Sequence, residues 1–147
     1  MTDQKGNTFY EATKDVFKMM LGLDIAQLEA QAAAGGEETV HVTIELIGDL
    51  TGSVVYSFPK STTLNIVKTL SGMEAEMIDD FATSMLGEIS NIISGNAVTS
   101  LSSLNYQCDI KPPQIAIIDG ADTHGGKTVD ICLESDAGRL YEHLLLS

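Results

Sequence analysis

Residues 81–101, FATSMLGEISNIISGNAVTSL, have the periodicity of one long helix. Successive helical residues are about 100° apart, so residues three or four positions apart share a side. This spacing predicts a mostly apolar side that faces the core and an opposite side that faces solvent. The apolar side comprises Ile78, Phe81, Met85, Ile89, Ile92 and Asn96. The solvent side comprises Asp79, Thr83, Gly87, Ser90 and Ser94.

A narrow stripe of four residues, Ser84, Glu88, Asn91 and Gly95, lies between these two sides. Spacings of four, three and four place them almost on one line down the helix surface. Glu88 and Asn91 therefore point the same way, one turn apart. Gly95 leaves bare backbone at a cost in helix propensity, which is understandable if another surface approaches there. Two interpretations remain open: a functional pair, or polar residues at the edge of a buried face.

The pattern S-x-x-x-E-x-x-N, separated by 21 residues from Pro113, resembles the signature of the CheC/CheX phosphatases of bacterial chemotaxis. The resemblance covers nearly the whole chain in the family's order. TFYEATKDVFKMML resembles the opening helix, ELIGDLTGSVVYSF the first hairpin, EISNIISGNAVTSL the long catalytic helix, and KPPQIAI the start of the next strand. The family's N-P-F is here Asn7-Thr8-Phe9. A single E-x-x-N helix favours CheX over CheC.

The resemblance implies an enzyme that removes phosphate from the aspartyl-phosphate of a CheY-like response regulator. The partner would supply the phosphoaspartate, a lysine and the carboxylates that hold Mg²⁺, so this chain would need no cofactor of its own. Asn91 would hold the attacking water in line with phosphorus, and Glu88 would pair with the partner's lysine. Ser84 and Gly95 would let the partner approach, and Pro113 would shape the adjoining strand. Phosphoryl transfer depends chiefly on positioning and charge stabilisation, which two groups on one helix can supply.

The pattern of the remaining sequence predicts two more helices and two hairpin-like groups of strands. Thr8 and Glu11 form a capping box before a helix whose core face is Phe9, Ala12, Val16, Phe17 and Met20, and Gly22 ends that pattern. A short helix is predicted at 59–70, ended by Gly72, and residues 74–80 are predicted to open the long helix. Strands are predicted at 38–47, 53–58, 114–118, 128–135 and 139–146, and 105–113 is read as a connector. Residues 25–34 fit either a short helix or an ordered linker.

These elements predict one α+β domain over residues 1–147, with a largely antiparallel sheet packed against long helices. The last strand ends in Leu144-Leu145-Leu146. An apolar strand left at a sheet edge promotes aggregation, so pairing with a second subunit is predicted to cover it. The resemblance also implies a homodimer.

Composition limits the classes of partner. The formal net charge is −13, which argues against nucleic acid and anionic membranes. No stretch has the pattern of a signal peptide or is apolar enough to span a bilayer, so a cytoplasmic protein is expected. Cys108 and Cys132 lack metal-ligand spacing, and packing is the expected role of both.

Several other groups admit a second interpretation. Asp119, Asp122 and His124 lie in a glycine-rich loop, where turn formation is the simpler explanation and a metal hydrolase site the sharper one. The acidic residues at 74–80 suit the N-terminus of a helix, with a metal cluster as the alternative. His41 is predicted at the surface. For the chain as a whole, the alternatives to a phosphatase are a non-catalytic binding module for a receiver or flagellar switch protein, and a structural dimer.

Overall fold

A computed structural model describes residues 4–28, 38–119 and 129–146. The helices are α1 (Gln4–Val16, continued by a π-helical segment, Phe17–Leu21), α2 (Lys60–Ser71) and α3 (Asp80–Ser103). The strands are β1 (Ala26–Leu28), β2 (Glu38–Gly48), β3 (Gly52–Pro59), β4 (Cys108–Ile110), β5 (Gln114–Asp119), β6 (Val129–Ser135) and β7 (Gly138–Leu146).

The strands form one antiparallel sheet in the order β1-β6-β7-β3-β2-β4, and β5 also pairs with β2. The predicted hairpins are confirmed, because β2 pairs with β3 and β6 pairs with β7. The α+β class with a largely antiparallel sheet and packed helices is likewise confirmed. One face of the sheet, including Val40, Val42 and Ile44, is fully buried with residues of the three helices in one apolar core.

The predicted position of the last strand is wrong. β7 lies inside the sheet, hydrogen-bonded to β6 on one side and β3 on the other. Leu144 is buried because β7 pairs with Val54 and Val129 at that level. The apolar ending of β7 therefore satisfies this chain's own core and gives no argument for a second subunit.

Helix α1 begins earlier than the capping box predicts. Thr8 lies inside the helix, where its hydroxyl donates to the Gln4 carbonyl at 2.8 Å, so it does not cap the N-terminus. Phe9 and Val16 are buried as predicted, whereas Met20 is exposed. Gly22 ends the helical segment in the left-handed conformation, with φ +67°, as the sequence predicts.

Other boundaries and exposures also differ from the predictions. α3 begins at Asp80, so most of 74–80 precedes the helix. Three residues of the predicted connector 105–113 form β4. Strand β1 lies in the segment 25–34, for which the sequence had left a short helix or an ordered linker open. His41 is buried, not at the surface, because β2 lies between β3 and β5; its Nδ1 is 3.5 Å from Ser57 Oγ. Cys108 and Cys132 are free thiols, and Cys132 is buried, consistent with the predicted packing role.

Candidate functional site

Helix α3 carries the predicted site residues and is firmly held at its start. The Asp79 carboxylate accepts a hydrogen bond from the Ala82 N–H at 2.9 Å, which satisfies a backbone donor that the first helical turn leaves open. Over its 24 residues the helix buries an apolar side against the sheet and α1. That side comprises Ala82, Leu86, Ile89, Ile93, Ala97 and Leu101.

The predicted orientation of α3 is partly wrong. Gly87, Ser90 and Ser94 were expected in solvent and are buried, whereas Phe81 and Asn96, expected on the core side, are exposed. Of the two serines, Ser94 has a polar partner in the core, whereas Ser90 Oγ is buried without a hydrogen-bond partner in the described part of the chain. The Tyr56 hydroxyl and Ser94 Oγ lie 2.8 Å apart in a buried hydrogen bond.

A shallow groove of about 590 Å³ contains most of the predicted site residues. Ser84, Gly87, Glu88 and Asn91 of α3 form one wall. The other wall is the end of β4, the connector 111–113 and Ile115 of β5. The structure therefore brings Ser84, Glu88, Asn91 and Pro113 together. Gly95 is not among the lining residues, and a Cβ built on it would meet nothing within 4 Å.

Gly87 lies where the two walls of the groove approach each other. A Cβ at this position would lie 2.9 Å from Ile115 Cδ1 and 3.8 Å from Pro113 Cγ. The first distance is shorter than carbon atoms tolerate, so a side chain at this position would have to displace the end of the Ile115 side chain. Gly87 was predicted to face solvent, so its place in the groove did not follow from the sequence.

Glu88 and Asn91 are available to another molecule. Glu88 is exposed and Asn91 is half-buried. In the described part of the chain, neither side chain has a hydrogen bond or an ion pair. An unpaired carboxylate can accept hydrogen bonds or pair with a cation, and an unpaired carboxamide offers both a donor and an acceptor.

The groove also contains a cation that the sequence analysis did not assign. Lys111 follows β4, and its N–H donates to the Glu45 carbonyl at 3.0 Å. Its ammonium lies 3.5 Å from Glu45 Oε1, and both side chains are about half exposed. No local pattern marks this lysine, because its place depends on how β2 pairs with the residues around 110.

A buried polar cluster lies between the sheet and the helices. It contains Glu142 of β7, Tyr56 of β3, Thr13 of α1 and Ser94 of α3. Burial raises the pKa of Glu142 to about 8, although its hydrogen bond with Thr13 acts in the opposite direction. Burial, and then the charge of Glu142, also raise the pKa of Tyr56 well above its ordinary value. At neutral pH, both groups are therefore predominantly uncharged beneath α3.

The metal alternatives receive no support from the described ranges. Within 4–28, 38–119 and 129–146, no group of three or more His, Cys, Asp and Glu residues is placed to hold a metal ion. Asp122 and His124 lie outside these ranges, as does the side chain of Asp119.

Among the described helices, none combines the length and apolar character needed to cross a bilayer.

The fold is that of CheC-like proteins. A crystal structure of chemotaxis protein CheX from Vibrio vulnificus matches with a TM-score of 0.86 at 21% identity, over 99% of this chain and all of that one. A crystal structure of a CheX–CheY–BeF3–Mg²⁺ complex from Borrelia burgdorferi matches with a TM-score of 0.68 at 24% identity, over 95% of this chain and 96% of that one.

Within that class, this chain belongs to the CheX family. The family model described as chemotaxis phosphatase CheX matches residues 40–131, which include most of β2 and the whole of β3, α3 and the groove. A relative from Thermotoga maritima, described as CheY-P phosphatase CheX, is 35% identical over 80 residues. That alignment covers 54% of this chain and half the length of the relative.

Proposed function

We propose that this protein is a phosphatase that hydrolyses the aspartyl-phosphate of a CheY-like response regulator in bacterial chemotaxis signalling. The observation that carries the proposal is that Glu88 and Asn91 lie next to each other in the same groove. In the described part of the chain, neither side chain has a hydrogen-bond or ion-pair partner. The helix that carries them is capped at its start and packed against the core along its buried side. Membership of the CheX family supports the same activity.

Asn91 is proposed to orient the attacking water. Its carboxamide can accept a hydrogen bond from the water and donate one to a phosphoryl oxygen, which fixes the water in line with phosphorus. The group is too weak a base to take a proton, so positioning is its contribution. Its half-buried position restricts the side chain, which lowers the entropy lost on reaching the productive geometry.

Glu88 is proposed to bind the lysine of the receiver's active site. The three-residue separation places Glu88 and Asn91 about 4.5 Å apart along the helix axis. That distance suits two neighbouring groups of one small site, a lysine and the water beside the phosphoryl group. The exposed carboxylate needs no other bond broken before it pairs.

Much of the chemistry is proposed to come from the partner. The phosphoaspartate and the Mg²⁺ that neutralises it belong to the receiver, so this chain supplies no cofactor. The Borrelia burgdorferi complex supports this division, since it contains CheX with CheY, BeF3 and Mg²⁺. Ser84 and Gly95 are proposed to lie under the receiver because neither has a bulky side chain, and Pro113 to hold the start of β5.

A homodimer of single-domain chains, acting in the cytoplasm with its receiver, completes the proposal. The domain assignment for 1–147 is supported by one sheet that contains strands from Ala26 to Leu146. The dimer now rests on the family resemblance alone, because β7 is internal. Sedimentation velocity of the purified protein tests it, and a single species of 15.7 kDa would remove it.

The experiment that tests the activity follows loss of phosphate from a phosphorylated CheY-type receiver with Mg²⁺. Wild-type protein should accelerate the decay, and Asn91→Ala should not. Asn96→Ala is the matched control, because Asn96 is an exposed asparagine of the same helix outside the groove. Binding of receivers without acceleration would instead identify a non-catalytic binding module, and failure to bind any receiver would favour a structural dimer.

A further inference from the structure

Lys111 lies on the ridge between two neighbouring grooves. On one side is the groove of Glu88 and Asn91. On the other is a groove of about 600 Å³ that contains Thr43, Glu45 and Ser53. In the structure the ammonium group is turned toward Glu45. A lysine side chain has four rotatable bonds, so the same backbone position can present the charge to either groove.

The backbone of this ridge is fixed even though the side chain is free to turn. The Lys111 N–H is bonded to the Glu45 carbonyl at 3.0 Å. Pro112 and Pro113 follow, and they have restricted φ angles and no N–H to pair with β2. Pro113 in turn packs close to Gly87 of α3. These contacts place the Lys111 backbone opposite the α3 wall that carries Glu88 and Asn91.

The contact that turns Lys111 away from the site is weak. Its ammonium is 3.5 Å from the Glu45 carboxylate, with the two side chains 53% and 54% exposed. Exposed ion pairs of this kind contribute little, because water screens them and holding two long side chains costs entropy. An anionic group that docks in the site groove therefore competes with Glu45 easily.

A cation in the site groove would add to the Mg²⁺ and the lysine that a phosphorylated receiver itself brings. Its α3 wall supplies a carboxylate and a carboxamide but no positive charge, and the formal net charge of the whole chain is −13. A phosphoryl group brings further negative charge toward Glu88. Lys111 is the positively charged residue that lines the described groove, and an ammonium contact to an anionic oxygen is a strong hydrogen bond.

We propose that Lys111 is a third residue of the site, which turns from Glu45 to bind an anionic oxygen of the docked receiver, in the first place a phosphoryl oxygen. The proposal rests on the proposed function, because the receiver supplies that oxygen. A carboxylate of the receiver's acidic pocket presents the same chemistry. The experiment below separates the two sources.

The test compares the affinity of Lys111→Met for a receiver with and without beryllofluoride, which mimics the phosphoryl group. Lys68→Met is the matched control, since Lys68 is also an exposed lysine with one carboxylate partner, Glu74, and lies outside the site groove. We expect Lys111→Met to weaken binding of the beryllofluoride form about tenfold, as for one charge-assisted hydrogen bond. Binding of the bare receiver should change less than about twofold, as should both affinities of Lys68→Met. Lys111→Arg, which keeps the charge, should recover most of the loss.

The possible outcomes distinguish the two sources of the anionic oxygen. They also distinguish failure of the Lys111 proposal from failure of the proposed function. Equal weakening of both receiver forms would identify a receiver carboxylate as the oxygen that Lys111 binds. Unchanged affinity of Lys111→Met for both forms, with wild type still binding and accelerating decay, would overturn the proposal and leave the phosphatase intact. Failure of the proposed function would be evident from wild type itself. Wild type that binds the receiver without accelerating decay would remove the phosphatase and leave the Lys111 test valid, whereas wild type that binds no receiver would remove the role of Lys111 as well.

Discussion

Replacing Glu142 by glutamine tests the protonation state of the buried cluster beneath α3. Glu142 has no exposed surface, and its Oε2 contacts the Thr13 hydroxyl. The same hydroxyl lies 2.8 Å from the Phe9 carbonyl, which can only accept. Because Thr13 has one hydroxyl hydrogen, it can donate to an ionised Glu142 only by leaving the Phe9 carbonyl, whereas a protonated Glu142 can donate to Thr13 while Thr13 donates to Phe9. The geometry therefore agrees with the raised pKa of this carboxyl.

The size and sign of the effect follow from the two pKa values. The pKa of Glu142 is about 8 in the folded protein, against its ordinary value of 4.5 in the unfolded chain. Between these values the folded state keeps a proton that the unfolded state has lost, so the free energy of unfolding falls as pH rises. Each pH unit in this window costs about 1.4 kcal/mol, which amounts to about 3 kcal/mol between pH 4.5 and pH 7. The contribution is fully present below 4.5 and is lost by about pH 8.

Glutamine has nearly the shape of protonated glutamate but cannot ionise. We expect Glu142→Gln to match wild type in stability near pH 4.5 and to exceed it by up to about 3 kcal/mol at pH 7. Urea unfolding of both proteins at intervals from pH 4.5 to pH 8 measures the difference, in which the contributions of other acids cancel. Glu134→Gln, at an exposed glutamate of the adjacent strand β6, is the control and should show no such trend. A difference between Glu142→Gln and wild type that stays constant across this range would refute the reasoning.

Three further substitutions address the packing and the partner contacts of α3. Tyr56→Phe should lower the free energy of unfolding by about 1–2 kcal/mol, because it leaves the buried Ser94 hydroxyl without its partner; an unchanged denaturation midpoint would contradict this. Gly95→Ala should raise that free energy by about 0.5–1 kcal/mol, since the added methyl meets nothing within 4 Å. If the receiver covers Gly95 as proposed, the same variant should bind it more weakly in a titration, and equal affinity would remove Gly95 from the contact surface. Glu88→Ala should raise the KM for phosphorylated receiver with little change in kcat, and a change confined to kcat in steady-state kinetics would assign Glu88 another role.

The sequence predicted the stripe on α3 because helical spacing is a local property. Ser84, Glu88 and Asn91 lie in one groove because residues four and three apart share a side. The hairpins were equally local, since alternation and glycine-containing turns identify adjacent strands. The class of fold followed from these elements and from the resemblance.

The errors arose where distant parts of the chain decide the environment. Ser94 was predicted to face solvent because nothing near it in sequence shows that Tyr56 provides a buried hydroxyl. β7 was predicted to be an edge strand because a local pattern does not give the order of strands in a sheet. It is internal because it lies between β3 and β6. His41 was placed at the surface because the pairing of β2 with β5 is also non-local.

Only part of the groove could be predicted, because one of its walls depends on contacts between distant parts of the chain. Its α3 wall was evident from spacing, but its second wall is brought by the pairing of β4 and β5 with β2. Gly87 and Lys111 have their roles only in that arrangement, so no pattern in the sequence distinguished them. The close contact at Gly87 and the groove position of Lys111 are properties of the folded chain alone.

The most direct test of the central claim is a single-turnover measurement of receiver dephosphorylation under saturating protein. Wild type, Asn91→Ala and Asn96→Ala are each mixed with phosphorylated receiver and Mg²⁺, and their affinities for the beryllofluoride form are measured in parallel. If Asn91 orients the attacking water, Asn91→Ala should bind nearly as tightly as wild type, while its decay rate falls to that of the receiver alone. Asn96→Ala should retain both properties. A saturated Asn91→Ala complex that dephosphorylates at the wild-type rate would contradict the assignment of catalysis to this groove.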